Sequence, residues 1–167
     1  HFPDSLFLVP LISRQTRDLF EQEIYRCNAQ ELPIRIMFGH AHDAIIAADT
    51  VLVASGTAAL ETALLKRPMV ITYKVSKLAY RLMWHRKYLP YIGLPNVLAG
   101  EFIVPEILQD DATPANLAQA LGNQISNRKI TDKLERRFEQ MHMSLQQNTA
   151  QRAAEAIAPY LSGARAR

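Results

Sequence analysis

The sequence has few of the features that mark secreted or membrane-spanning proteins. Its 167 residues include one cysteine, Cys27, and a single cysteine excludes a disulfide framework. No apolar run approaches the length needed to span a bilayer, and no signal-peptide pattern opens the chain. A cytoplasmic protein is therefore expected. The chain starts at His1 in what looks like the end of a helix-to-strand connection, so we interpret the sequence as a fragment of a larger protein.

Acidic residues are missing from residues 62–100, where Lys and Arg are interleaved with aromatic residues. A helix is predicted from Ser76 to about Lys87. Its mixture of basic and aromatic side chains favours a surface that contacts anionic lipid or a phosphorylated lipid substrate. A buried helix whose long cationic side chains reach water is the alternative. The candidate lipid-contact residues are Lys77, Arg81, Trp84 and Lys87.

Nucleic acid binding has little support in the sequence. The net charge of +3 is small, and the chain contains neither a nucleic-acid-binding motif nor an internal repeat. What the chain does contain is 49% hydrophobic residues over a length typical of one domain. It is therefore long enough and apolar enough to bury a substantial core.

Four short apolar segments indicate β-strands at residues 6–10, 33–38, 50–54 and 68–73. They alternate with helices predicted at about residues 13–29, 44–48 and 58–65. This is the βαβ pattern of a parallel sheet with right-handed crossovers, so the predicted fold class is α/β. The side chains that the first helix is expected to bury are Leu19, Phe20, Ile24 and Cys27.

The C-terminal part of the chain is predicted to be helical. Thr113 and Pro114 form a cap followed by a first-turn proline, which opens a helix to about Ile125. Two more helices follow at about residues 130–147 and 149–161. The residues expected to be buried by their helical spacing are Leu134, Phe138, Met141, Leu145, Ala153, Ala156, Ile157 and Leu161. The predicted division is a sheet domain at residues 1–112, C-terminal helices at residues 113–161 and a frayed tail at residues 162–167.

The candidate ligand site is the turn from the third strand into the following helix. Gly56 permits a sharp turn and the close approach of a ligand, while Ser55 or Thr57 can cap the helix. The free N–H groups and the helix dipole favour a phosphate there. Glu61 lies about one turn beyond Thr57, where a carboxylate suits a pair of vicinal hydroxyls. The alternative is that this junction only connects the strand to the helix and binds no ligand.

Two other loops contribute candidate residues. Ligands of parallel sheets bind at the carboxyl ends of the strands, so the Gly39–His40 backbone is expected to contact the ligand, next to the Ser55 turn if the strands pair in sequence. His40 and His42 raise the hypothesis of a metal site, but their spacing is weak and we predict no metal. Residues 93–100 are predicted to be an ordered loop in which Asn96 offers donors and an acceptor, or serves only the turn.

Several motifs together resemble the C-terminal half of lipid-A-disaccharide synthase. The most specific is Leu-Pro-Asn-Val-Leu-Ala-Gly-Glu at residues 94–101, followed by Val-Pro-Glu-Ile-Leu-Gln at residues 104–109. Ser-Gly-Thr-Ala-Ala-Leu-Glu at residues 55–61 is shared more loosely with other nucleotide-sugar glycosyltransferases. Further matching segments are Lys-Arg-Pro-Met-Val at residues 66–70, Tyr73-Lys74, Gln147-Asn148 and residues 151–155. The resemblance covers essentially the whole chain.

The resemblance implies the nucleotide-sugar-binding, Rossmann-like half of a GT-B glycosyltransferase. Members of this family transfer 2,3-diacylglucosamine from UDP to 2,3-diacylglucosamine 1-phosphate, which forms a β-1,6 disaccharide and releases UDP. No metal or other cofactor is expected, because a helix N-terminus and basic side chains stabilise the leaving diphosphate. A peripheral position on the inner face of the inner membrane is expected too, as is a homodimer in which the C-terminal helices pack on a partner chain.

The resemblance also implies roles for individual residues. The diphosphate would be held by Ser55, Gly56, Thr57, Ala58 and the amides of this turn. The ribose hydroxyls would bind Glu61, the uracil would contact the backbone of Gly39 and His40, and Asn96 would lie near the reacting sugar or its phosphate. No catalytic residue is expected in this chain, since the family's base and leaving-group arginine belong to the missing N-terminal part.

Other interpretations stay open. The chain could belong to a different UDP-sugar enzyme, such as the peptidoglycan N-acetylglucosaminyl transferase or a UDP-sugar epimerase. It could equally be a UDP-binding module or a dimerising fragment with no activity of its own. A basic nucleic-acid-binding α/β domain would bind RNA with a steep salt dependence and would be indifferent to UDP.

Overall fold

The computed structural model describes residues 4–84 and 89–161. All strands in these two ranges are parallel, and helices flank them, which confirms the α/β class. The predicted frayed tail at residues 162–167 lies outside the described residues, as does Lys87. In the same two ranges, no helix combines the length and the apolar character needed to cross a bilayer.

The strands form two sheets instead of one continuous sheet. Strand β1 (Phe7–Leu11) pairs with β2 (Ile34–Phe38), and β3 (Val51–Ala54) pairs with β4 (Met69–Tyr73), which pairs in turn with β5 (Glu106–Leu108). The first four strands confirm the sequence prediction to within about one residue, whereas β5 was not predicted. The loop after β2 was expected to lie next to the Ser55 turn if β2 paired with β3. The two strands are in separate sheets, so this pairing does not occur.

Some of the helices begin at a residue whose side chain caps the first turn. The helices of the described residues are α1 (Arg14–Arg26), α2 (Ala41–Ala47), α3 (Thr57–Leu64), α4 (Lys77–Trp84), α5 (Leu94–Ala99), α6 (Pro114–Ser126), α7 (Arg128–Leu145) and α8 (Thr149–Leu161). The Ser13 side chain accepts a hydrogen bond from the Thr16 amide and caps α1, and Thr113 caps α6 in the same way. Local side chains therefore fix the starts of α1 and α6.

The prediction of an ordered loop at residues 93–100 was wrong, because most of it is the short helix α5. Pro95 is in the first turn of this helix, where the N–H that proline lacks would have had no intrahelical acceptor. Gly100 ends the helix in the left-handed conformation, with φ of 69°. A Gly- and Pro-rich segment is therefore helical here because each of these residues occupies a helix end.

The core lies between the three-stranded sheet and helices α3 and α7. Met69, Ile71 and Phe138 are fully buried there. Leu134 and Met141 join them, as predicted from their spacing. Beyond the C-terminal end of α3, the Lys66 ammonium lies 2.6 Å from His142 Nδ1 and 3.2 Å from a Glu139 carboxylate oxygen, which links the α3–β4 connection to α7.

Several residues predicted to be buried are exposed. Leu19 on α1 is 57% exposed and Cys27 is exposed, because α1 packs against β1 of the small sheet and has no buried residue. Leu145 is 41% exposed at the end of α7. Helix α8 has no buried residue, so the predicted burial of the α8 residues Ala153, Ala156, Ile157 and Leu161 was wrong for this chain. Helical periodicity identifies an apolar face but not what covers it.

Candidate functional site

The turn between β3 and α3 has a backbone conformation that only glycine adopts readily. Gly56 has φ of 154° and ψ of −162°, a region from which a Cβ atom excludes other residues. A Cβ placed on Gly56 would have no heavy atom within 4 Å, so the space above the turn is open. The turn therefore brings the chain sharply into α3 and leaves room for a ligand against the backbone.

The N-terminal end of α3 presents unused hydrogen-bond donors. The N–H groups of Gly56, Thr57 and Ala58 have no acceptor among the described residues, and no acidic side chain lies in the first turn of the helix. Thr57 and Ala58 are exposed. These amides lie at the positive end of the helix dipole, so the turn suits an anion.

Ser55 has a different environment from that of the free amides. Its N–H donates to the Thr72 carbonyl at 3.2 Å, and its hydroxyl donates to the Ile92 carbonyl at 3.1 Å. Neither Ser55 nor Thr57 caps α3, so the prediction of a side-chain cap was wrong. Because both donors of Ser55 are engaged, this residue holds the turn in place while the next three amides stay available.

Glu61 lies on the same face of α3 as Thr57, one turn further along the helix. It is exposed, and its carboxylate makes no hydrogen bond or ion pair with any residue in the described ranges. A free carboxylate at this distance from the helix start can accept hydrogen bonds from two ligand hydroxyls. The position of Glu61 is compatible with that prediction.

Asn96 is buried, and its side chain is fully occupied within the chain. Its Nδ2 donates to the Val104 carbonyl at 2.9 Å and to Glu106 Oε1 at 2.8 Å. Its Oδ1 accepts from the amides of Ile103 and Val104 at 2.9 and 3.0 Å. These four bonds exhaust the capacity of a carboxamide. The structure thus gives Asn96 a structural role, and contact with a sugar stays a prediction.

Glu106 is a residue of this region that the sequence reasoning did not single out. Its carboxylate accepts hydrogen bonds from the amides of Ile92 and Gly93, both at 2.9 Å, in addition to Asn96. Ile92 is the residue whose carbonyl accepts the Ser55 hydroxyl. The sequence signal for this role was a single carboxylate inside the apolar run at residues 104–108. An acidic side chain in a half-buried strand requires hydrogen-bond donors around it.

The Gly39–His40 turn lies at the end of β2, in the other sheet. Both residues have a left-handed backbone conformation, with φ of 69° and 55°. The His40 Nδ1 lies 2.8 Å from an Asp43 carboxylate oxygen. Within the described residues, no hydrogen bond or ion pair joins this turn to the Ser55 turn. The parts of the chain that the structure describes contain no cluster of three or more His, Cys, Asp or Glu side chains able to hold a metal ion.

The candidate lipid-contact residues are only partly described. Lys77 and Arg81 are exposed on α4 and make no ion pair with a described residue, and Leu78 beside them is 80% exposed. Trp84 ends the helix, but its side chain is outside the description, as is the whole of Lys87. The described part of α4 therefore presents two free cations next to an exposed leucine.

Comparison with known proteins agrees with the motifs. The model of the family described as lipid-A-disaccharide synthetase matches residues 1–157. The chain is 58% identical over 160 residues to "Lipid-A-disaccharide synthase" of Azoarcus sp. (strain BH72), which covers 96% of this chain and 41% of that protein. It is 56% identical over 157 residues to the protein of the same name from Dechloromonas aromatica (strain RCB), covering 94% of this chain and 41% of the relative. This chain spans about two fifths of the length of these curated relatives and belongs to the lipid-A-disaccharide synthetase family.

Proposed function

We propose that this chain is the donor-binding part of a glycosyltransferase of lipid A biosynthesis. The reaction is transfer of 2,3-diacylglucosamine from UDP to 2,3-diacylglucosamine 1-phosphate, which forms the β-1,6 disaccharide 1-phosphate and releases UDP. The observation that carries this proposal is the open N-terminus of α3, with three free amides beyond a glycine-only turn, in a chain of this family. Such a terminus is a ready anion site, as a UDP diphosphate requires.

In this proposal the diphosphate binds the amides of Gly56, Thr57 and Ala58. Glu61 accepts hydrogen bonds from the ribose hydroxyls, because it lies one turn along the same face. The turn of Gly39 and His40, both exposed residues, contacts the uracil. The free amides are fixed before the ligand arrives, so they stabilise the negative charge that grows on the leaving diphosphate without reorganising. The general base is expected outside this chain, which alone binds the donor without turnover.

Calorimetric titration of UDP into the chain, and into a Glu61→Ala variant, tests this assignment. We expect saturable binding by the wild type and binding about tenfold weaker in the variant, because a carboxylate hydrogen-bonded to hydroxyls contributes roughly 1.5–3 kcal/mol. Glu135→Ala is the matched control, since Glu135 is an exposed glutamate on α7 without an ion pair among the described residues. Equal affinities in all three proteins would contradict the role of Glu61, and a folded wild type that binds no UDP would contradict the site.

We further propose that α4 contacts the membrane that holds the lipid substrates. Lys77→Gln with Arg81→Gln should lower partitioning onto vesicles rich in anionic lipid by roughly thirtyfold at low salt, since each cation near such a surface contributes about 1 kcal/mol. Co-sedimentation measures the partitioning. Lys133→Gln with Arg136→Gln removes two exposed cations from α7 and is expected to have a much smaller effect. The same loss in both double variants would reject α4 as the specific contact.

A homodimer with exchanged C-terminal helices is part of the same proposal. Support comes from α8, which has no buried residue and leaves Ile157 52%, Tyr160 75% and Leu161 82% exposed. An amphipathic helix with an uncovered apolar face is stabilised by packing on another surface. A second copy of the chain supplies such a surface when each copy donates its helix to the other.

A further inference from the structure

The carboxylate of Glu106 connects three parts of the fold. It lies at the start of β5, and both of its oxygens accept hydrogen bonds: Oε2 from the Ile92 amide, and Oε1 from the Gly93 amide and the Asn96 side chain. Hydrogen bonds to an ionised group are shorter and stronger than neutral ones. Glu106 therefore fixes the backbone at Ile92–Gly93 and the first turn of α5 together.

The fixed segment packs tightly against the sheet. A Cβ on Gly93 would overlap Ile71 Cδ1 and lie 3.0 Å from Glu106 Oε1, so a larger residue here would require the buried Ile71 side chain to shift. The neighbouring Ile92 backbone is held by its N–H bond to Glu106 Oε2 at 2.9 Å. The Ile92 carbonyl accepts a hydrogen bond from the Ser55 hydroxyl. Ser55 comes directly before the three free amides at the start of α3.

We propose that Glu106 is a positioning residue for the diphosphate site and acts through Ile92 and Ser55. The proposal rests on the function proposed above. Glu106 does not touch the ligand. Its carboxylate holds the Ile92 amide, the Ile92 carbonyl then holds the Ser55 hydroxyl, and Ser55 holds the turn in which the amides of Gly56, Thr57 and Ala58 face the ligand space. A binding site is effective when its donors are held in place before the ligand arrives.

Glu106→Gln breaks this chain of contacts at one point. The variant keeps an oxygen for Gly93 and Asn96 but places an NH2 group against the Ile92 N–H, so two donors face each other. We expect calorimetry to show UDP binding about tenfold weaker in Glu106→Gln and about tenfold weaker in Ser55→Ala. The double variant is expected to lose about tenfold as well, because each substitution breaks the same link. Multiplicative losses, near a hundredfold, or wild-type affinity in Glu106→Gln would overturn the proposal.

A matched control separates positioning from general destabilisation. Met141→Ala removes a core side chain that is 7% exposed. Met141 precedes His142, which contacts Lys66 beyond the C-terminal end of α3, the end opposite Gly56. It should lower the midpoint of urea unfolding while leaving UDP affinity unchanged in the folded protein. If Met141→Ala weakened UDP binding as much as Glu106→Gln, the effect of Glu106 would be attributed to stability alone.

Amide hydrogen exchange without nucleotide makes the test independent of UDP binding. The amides of Ser55 and Ala59 are hydrogen-bonded to the Thr72 and Gly56 carbonyls, so their exchange reports how firmly the turn is held. We expect both amides to exchange about tenfold faster in Glu106→Gln than in the wild type. If exchange were faster in Glu106→Gln although the wild type bound no UDP, the positioning role of Glu106 would be supported and the proposed function refuted. Unchanged exchange would refute the positioning role whatever UDP does.

Discussion

Asn96→Asp is expected to destabilise the chain by about 4 kcal/mol or more, although the two side chains have nearly the same shape. The substitution replaces the Nδ2 donor with an oxygen that would lie about 2.8 Å from Glu106 Oε1 and 2.9 Å from the Val104 carbonyl. Two like charges this close repel by about 4 kcal/mol even in a moderately polar surrounding. Because domains of this size are stable by only about 5–15 kcal/mol, a loss of this size removes a large share of the free energy of unfolding.

Urea unfolding followed by circular dichroism measures this loss. Asn127→Asp is the matched control, since the Asn127 side chain accepts a hydrogen bond from the Ile130 amide as the N-cap of α7, and an aspartate accepts it equally well. The control should keep wild-type stability. A stable Asn96→Asp variant would contradict the buried network. If that stable variant had also lost UDP-sugar binding, the prediction that Asn96 contacts the sugar would gain support instead.

The sequence predicted the features that depend on near neighbours. The start of α6 was predictable because Thr113 and Pro114 are adjacent to the amides they affect. The strands β1 to β4 were predictable because short β-branched and apolar runs between turn residues are typical of strands. The glycine of the Ser55 turn was recognised for the same reason, since a strand running directly into a helix requires a residue of unusual φ at the junction.

What the sequence did not predict depends on residues far apart in the chain. The engagement of Ser55 was not foreseen, because its partner Ile92 lies 37 residues away and a hydroxyl carries no sign of where it points. The role of Glu106 was missed for the same reason, since its donors lie at Ile92, Gly93 and Asn96. The polar side chains of the candidate site thus divide into those facing the ligand space and those that support it, a division that only three-dimensional contacts reveal.

Gly56→Ala is expected to weaken UDP binding by about thirtyfold or more. The backbone of Gly56 lies in a region that costs other residues about 1–3 kcal/mol, so an alanine should rotate the turn into an ordinary extended conformation. That rotation turns the Gly56 and Thr57 amides away from the ligand space. Each hydrogen bond from a backbone donor to a charged phosphate oxygen contributes roughly 1.5–3 kcal/mol, and losing one of them already gives more than a tenfold effect.

The control for Gly56→Ala is Gly100→Ala, the same substitution at the end of α5. Gly100 has φ of 69°, and a Cβ there also meets no atom within 4 Å, so the backbone cost of about 1–2 kcal/mol is of similar size. Both variants should unfold at lower urea concentration than the wild type, but calorimetry should find UDP binding weakened only in Gly56→Ala. If both variants bound UDP equally well, the ligand would not contact the β3–α3 turn. If Gly100→Ala lost binding to the same extent, the effect would belong to stability and not to the amides at the start of α3.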